Sequence, residues 1–228
     1  MSSYDIIAAL TDLANASTPG DSFLALDRAR SVLGREVETY HPLLESLTKR
    51  AEEIDQLRTL ARYDALTGIY NRRTFEEAFQ REFARVRRTG ESFAVVLLDL
   101  DGLKEINDNA GHAAGDQALK TVARECSRNI RSTDIAARLG GDEFGIILAG
   151  SDLSCARAFV QRLRNAIESH RVADRQLGVS FGVAAANASV VRPEDITGEA
   201  DADLYRDKGN RASGRDRRSE LATSTKSP

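Results

Sequence analysis

The chain has 228 residues, of which 41% are hydrophobic and 29% charged, and a formal net charge of −3. Charges this evenly balanced exclude a global field that would draw the chain onto nucleic acid. The longest apolar run, Phe93 to Leu98, falls far short of the roughly 20 residues that span a bilayer. Length predicts one ordinary domain with a smaller appendage. The first residues, Met-Ser-Ser-Tyr-Asp, lack the basic and apolar regions of a signal peptide. Cys126 and Cys155 lie in predicted helices without the paired spacing of a zinc site, and are expected to be buried thiols. A cytoplasmic protein is the expectation.

Residues 1–40 carry two short helical patterns, Ile6, Leu10 and Leu13, then Leu26, Ala29 and Leu33, separated by a Thr18-Pro19-Gly20-Asp21 turn. That piece is too small for a core of its own, so a sensory or dimerisation role suits it. Pro42 fits the first turn of a helix over 41–63. Tyr40, Leu43, Leu47, Ile54, Leu57 and Ala61 follow a 3–4–7 spacing, with Arg50 interrupting the seam. A short coiled coil and an amphipathic helix lying on the domain both fit.

From residue 64 the elements alternate: a helix over 71–89, a buried strand over 93–100, a short helix over 102–108 and a longer one over 115–131. Two strands then flank a glycine pair, and a helix over 153–170, a strand over 177–186 and a helix over 194–208 complete the domain. Hairpin strands interleaved with helices predict an α/β (α+β) sheet layered with helices. Residues 209–228 are polar and expected to form a disordered tail.

The chemistry centres on Arg138-Leu139-Gly140-Gly141-Asp142-Glu143-Phe144-Gly145. A Gly-Gly step between apolar runs is a hairpin signal, because glycine takes positive φ without steric cost. Two acids directly behind it suggest a metal and phosphate site. Asp99 and Asp101 close the run from Phe93, at the strand end where ligands of α/β sheets gather, and alternate side chains put both on one face. If the hairpin strand lies alongside, Asp99 and Asp142 can converge on Mg²⁺, a hard cation that takes few protein ligands. Lys104, Asn107, Asp108, His112 and Asp116 follow in one segment. Asn and Asp beside glycines are ordinary turn and cap residues, and Asp116 could cap the next helix. Equally, an Asp can accept from guanine N1–H and N2–H while Asn reaches O6 or N3. Arg131-Ser132-Thr133-Asp134 alone would be a surface pair. His41 and His170 lack the neighbours of a catalytic base.

The chain resembles the GGDEF diguanylate cyclase family from residue 64 to about 208. The resemblance rests on Asp64-Ala65-Leu66-Thr67-Gly68-Ile69-Tyr70-Asn71-Arg72-Arg73, the Asp99–Asp116 stretch, Gly140-Gly141-Asp142-Glu143-Phe144, Val179-Ser180-Phe181-Gly182-Val183-Ala184 and Ala200-Asp201-Ala202-Asp203-Leu204-Tyr205. It implies a mostly antiparallel central sheet flanked by helices. It also implies condensation of two GTP into cyclic di-GMP with loss of two pyrophosphates, in a homodimer of half-sites. Asp99, Asp142 and the Leu100 carbonyl would hold two Mg²⁺ ions per half-site, with Mn²⁺ as an alternative. Asp142 or Glu143 would help deprotonate the ribose 3′-hydroxyl, and Lys104 would stabilise phosphate charge. Asn107, His112 and Asp116 would serve the guanine, and Lys208 a phosphate. Arg131 and Asp134 match the family's product-inhibition site, with Arg162 as a secondary contact. Asp64, Arg72 and Arg73 would belong to a turn tying the incoming helix to the domain.

The sequence departs from the pattern at Gly102 and Leu103, where aromatic residues are frequent, at Asp203, which replaces a small residue, and at Gly209-Asn210-Arg211, which alters the usual Gly-Arg-Asn ending. The competing readings are a catalytically silent cyclic di-GMP receptor acting as a signalling adaptor, and a nucleotide cyclase of different base choice. Neither nucleic acid nor membrane is an expected partner.

Overall fold

The computed structural model describes residues 61–187 and 192–224, together with scattered positions between 24 and 57; side chains are described as far as Arg211. The chain divides into two compact units, Met1–Ala61 and Arg62–Pro228. In the first, the described positions are helical, and Leu57 is exposed. The other predicted seam positions before Ala61, the apolar positions of the two helical patterns in 1–40 and His41 lie outside the described residues.

The second unit is built on a five-stranded sheet, β1 (Tyr70–Asn71), β2 (Phe93–Asp101), β3 (Ile135–Gly140), β4 (Glu143–Ala149) and, after a two-stranded hairpin of β5 (Arg171–Val172) and β6 (Arg175–Gln176), β7 (Gly178–Ala186). The order is β1-β3-β4-β2-β7, with β1 and β3 parallel and the other neighbours antiparallel. Helices α1 (Arg72–Thr89), α2 (Leu103–Ala110), α3 (His112–Asn129), α4 (Leu153–Glu168) and α5 (Pro193–Ser224) cover it.

β2 is central, and its period of two divides the core. Ala94, Val96, Leu98 and Leu100 pack with Ile106 of α2, Val122 of α3 and Leu163 of α4. Phe93, Val95 and Leu97 pack with Phe75 and Phe79 of α1 and Ile196 and Ala200 of α5. Burying each such side chain contributes about 1.5–3 kcal/mol, which is why an apolar run reads as a central strand. α1 starts where the Asn71 side chain accepts from the Thr74 N–H and stops at Gly90, at φ 76. Those caps give it the predicted bounds almost to the residue.

The structure corrects four expectations. First, α3 begins at His112, because the single residue Gly111, at φ 82, ends α2 and starts α3. Asp116 therefore lies inside the helix and does not cap it. Second, Cys126 is buried, its thiol pushed up to about 12 by burial, but Cys155 is exposed, in the first turn of α4 just after the capping Asp152. Third, β1, β5 and β6 were not predicted; each is two residues long. The β5–β6 turn uses Ala173 and Asp174, both at positive φ, in place of a glycine. Fourth, α5 continues past 208 to Ser224. Arg211 holds it down, donating from Nε to Asp101 at 3.0 Å and from Nη2 to Glu168 at 2.6 Å.

The departure at Asp203 also has a structural reason. β7 is an edge strand, and edges leave backbone groups unpaired. Asp203 accepts from the Val183 N–H at 3.1 Å, and Asp207, one helical turn on, accepts from the Phe181 N–H at 2.8 Å and from Arg164 at 2.7 Å. Arg164 in turn donates to the Val179 carbonyl at 2.8 Å. Asp207→Ala leaves that edge amide unpaired and removes the carboxylate that Arg164 pairs with. We expect it to lower unfolding free energy by about 1–3 kcal/mol, measured in urea.

Candidate functional site

The site lies where β2 runs out against the hairpin between β3 and β4. Asp99 is 7% exposed, and the register sets Glu143 directly across from it. Asp142 stands one residue earlier, in the turn, where its carbonyl accepts the Leu100 N–H at 3.1 Å. The N–H and carbonyl of one strand residue point to the same side, so the Leu100 carbonyl also faces the hairpin. The turn itself needs glycine: Gly141 sits at φ 52, and Gly140 breaks the β3–β4 register.

Burial raises the Asp99 carboxyl above its ordinary range; the Lys208 hydrogen bond pulls it down, and the charges of Asp142 and Asp101 push it up. A buried carboxylate with a second one in the adjoining turn offers hard oxygen donors of the kind a divalent cation takes. Asp101 is engaged elsewhere, accepting from Ser180 Oγ at 2.7 Å and from Arg211. Lys208 Nζ lies 2.8 Å from Asp99 Oδ2 and sets a positive charge against that carboxylate.

Two arginines fix the hairpin, and the sequence reading did not give either this task. Arg138 donates from Nε and Nη2 to the Gly141 carbonyl at 3.0 and 2.7 Å, and its Nη1 reaches Asp64 at 3.3 Å. Asp64 also accepts from the Thr67 N–H and hydroxyl at 2.9 and 2.6 Å. Burial alone would raise its carboxyl, but these bonds and the Arg138 charge hold it below its ordinary value. Arg72 donates to the Leu139 carbonyl at 2.7 Å and lies 3.7 Å from Glu143. Glu143 is exposed and borders a cleft of about 340 Å³ shared with Arg72, Leu139 and Asp201. Arg73 pairs with Glu77 along its own helix.

The predicted base-reading residues meet across the α2–α3 junction. Asn107 is half-buried, and its side chain occupies the space a Cβ on Gly115 would need. Gly115 thereby lets Asn107 lie against α3 immediately beside Asp116, which is exposed. The glycine preceding Asp116 was the available signal. His112 and Lys104 are exposed at the starts of α3 and α2.

Arg131, Asp134 and Arg162 gather away from this centre. Asp134 is 8% exposed and its two oxygens accept from the Arg131 N–H at 2.9 Å and the Ala149 N–H at 3.2 Å, so it shapes the turn that presents Arg131. Arg162 donates to the Asn129 carbonyl at 3.2 Å and stacks on Phe159. His170 meets Glu125 of α3 at 3.1 Å.

Residues 61–214 match the family described as diguanylate cyclase, GGDEF domain. Diguanylate cyclase DgcS of Shewanella oneidensis is 36% identical over 83% of this chain and 62% of its own length. Diguanylate cyclase VdcA of Vibrio cholerae is 33% identical over 71% of this chain and 48% of its own. The chain thus spans about half to three-fifths of these relatives. Among solved structures, the coiled coil and GGDEF domain of DgcB from Caulobacter crescentus, in complex with c-di-GMP, superposes with a TM-score of 0.70 at 28% identity, covering 77% of this chain and 94% of that one. Diguanylate cyclase SiaD of Pseudomonas aeruginosa, in complex with its activator SiaC, gives 0.61 at 28% identity, over 90% of this chain and 83% of that one.

Proposed function

The chain belongs to the GGDEF family of diguanylate cyclases, and from that membership we propose that it condenses two GTP into cyclic di-GMP and two pyrophosphates. The observation that supports this reading best is the end of β2 tied to the acidic hairpin: Asp99 lies across from Glu143, the Leu100 N–H donates to the Asp142 carbonyl, and Lys208 reaches Asp99. Each 3′-hydroxyl attacks the α-phosphate of the opposite nucleotide, so two domains must face one another, each presenting one half-site. Asn107 and Asp116 hold the guanine edge, His112 lies beside them, and Lys104 and Lys208 meet the phosphates. Asp142 or Glu143 takes the proton from the 3′-hydroxyl, and Arg72 and Arg138 keep the hairpin still while it does so. Asp99, Asp142 and the Leu100 carbonyl would hold Mg²⁺, or Mn²⁺, two ions per half-site as the resemblance implies, which would neutralise phosphate charge and acidify the hydroxyl. Most of the rate then comes from positioning and electrostatics.

Incubating the purified chain with Mg²⁺ and labelled GTP or ATP, then resolving the products, tests the reading. Cyclic di-GMP and pyrophosphate from GTP alone are expected. Binding of cyclic di-GMP without turnover would instead identify a silent receptor.

Lys208 should act in two opposing ways. Lys208→Ala removes a phosphate contact and is expected to weaken GTP binding about tenfold. The same change frees Asp99, so binding of the divalent ion without nucleotide should tighten. Calorimetric titrations of ion and nucleotide separately check both signs.

Arg131, with Asp134 shaping its turn and Arg162 alongside, is the proposed product site. A guanidinium can grip guanine O6 and N7 in bidentate fashion. Arg131→Ala is expected to raise the cyclic di-GMP concentration for half-inhibition by about tenfold or more, with the uninhibited rate retained. Unchanged inhibition in initial-rate assays removes the assignment.

A further inference from the structure

We propose that Arg175 is a positioning residue for the phosphate end of this site, clamping the turn between β2 and α2; the inference rests on the cyclase reading above. α2 begins at Gly102, at φ 73 and ψ 31, with no side-chain cap to its first turn. A Cβ at Gly102 would collide with Arg175 Nη2. Nη1 of the same guanidinium pairs with Glu105 Oε2 at 2.5 Å, in the first turn of α2. One planar fork therefore covers the bare glycine with one nitrogen and holds the helix start with the other. The stretch it straddles bears on the proposed reaction: Lys104 lies between Gly102 and Glu105, and the Leu100 carbonyl stands two residues before Gly102.

The hairpin that carries Arg175 is built as a rigid mount. Its turn forces two non-glycine residues, Ala173 and Asp174, to positive φ, and such conformations persist only where the surroundings impose them. Arg171 donates to the Asp174 carbonyl, Gln176 donates to the Glu168 carbonyl at 2.7 Å, and the Leu177 N–H donates to the His170 carbonyl at 3.1 Å. Val172 is buried. Arg175 and Glu105 are 31% and 65% exposed, and ion pairs at such sites add little to stability. The strained turn and the glycine cleared beneath the guanidinium therefore serve placement of the β2–α2 turn better than they serve stability. Gly102 suits this arrangement twice over: its φ of 73 favours glycine, and a side chain there would push the guanidinium aside.

The test uses the full chain with Arg175→Ala, Arg175→Lys, Glu105→Gln and the Arg175→Ala/Glu105→Gln double variant. GTP-dependent initial rates, melting temperature and amide exchange at residues 103–106 are measured for each. The expected result is a KM for GTP raised about tenfold in both single variants, kcat little altered, and a double variant no worse than either. Exchange at 103–106 should quicken while the melting temperature holds. Arg175→Lys keeps the charge without the fork and should restore KM only in part. An unchanged KM in Arg175→Ala, additive losses in the double variant, or a fall in kcat that tracks the melting temperature overturns the clamp. If the unmodified chain makes no cyclic di-GMP, the cyclase reading falls, and the clamp is judged by exchange alone: unaltered protection at 103–106 in Arg175→Ala refutes it, and selective loss there upholds it.

Discussion

Asp142→Asn is expected to reduce cyclic di-GMP formation by a factor on the order of 10²–10³ while leaving the fold intact. The substitution keeps side-chain shape and leaves the backbone carbonyl that accepts the Leu100 N–H, so the hairpin stays tied to β2. What it removes is one negative charge beside Asp99. Because that charge helps to raise the Asp99 carboxyl, Asp99 should titrate lower in the variant. A lone carboxylate that ionises more readily but has lost its partner holds a divalent ion less well. Initial rates across a Mg²⁺ series separate the effects: a raised ion requirement that saturating Mg²⁺ only partly cures is the expected pattern. Full activity at ordinary Mg²⁺ would take Asp142 out of the machinery.

Deleting residues 1–60 is expected to leave GTP binding intact and to cut turnover at dilute protein by a factor on the order of 10²–10⁴. If one domain offers one half-site, as proposed, the rate depends on how often two meet. A paired helix over 41–63 would raise the effective concentration of each half-site for the other. The truncated chain should accordingly regain rate as its concentration rises, with a quadratic dependence in the dilute range. Rates measured alongside solution mass over a concentration series check this. A truncated enzyme fully active when dilute and monomeric contradicts it.

The central hairpin was legible because its chemistry and its geometry need the same residues. Glycine alone sits easily at φ 52, as Gly141 does, and the apolar runs on either side fix the two strands. The run from Phe93 was equally plain, since a strand covered on both faces has no polar alternation to read. Asp116 was harder. A single glycine, Gly111, both ends α2 and begins α3, and the usual cap residues are absent, so an acid five residues on looked like the start of the helix. The β5–β6 hairpin escaped because Ala173 and Asp174 do the work a glycine would advertise. α5 is held at Arg211 by Asp101 and Glu168, partners far away in sequence that no local pattern reveals. Arg138 stood in plain view beside the glycine pair, yet its grip on the Gly141 carbonyl needs the folded turn to be recognised.

The account depends on two acids from adjacent β-elements sharing one divalent ion beneath a triphosphate. Co-crystallising the chain with Mn²⁺ and a non-hydrolysable GTP analogue, and collecting at the manganese edge, tests this directly. The account predicts an anomalous peak about 2.1 Å from oxygens of Asp99, Asp142 and the Leu100 carbonyl, with the Lys208 ammonium moved off Asp99 toward phosphate. A bound analogue with no peak there, or manganese held by other residues, contradicts it.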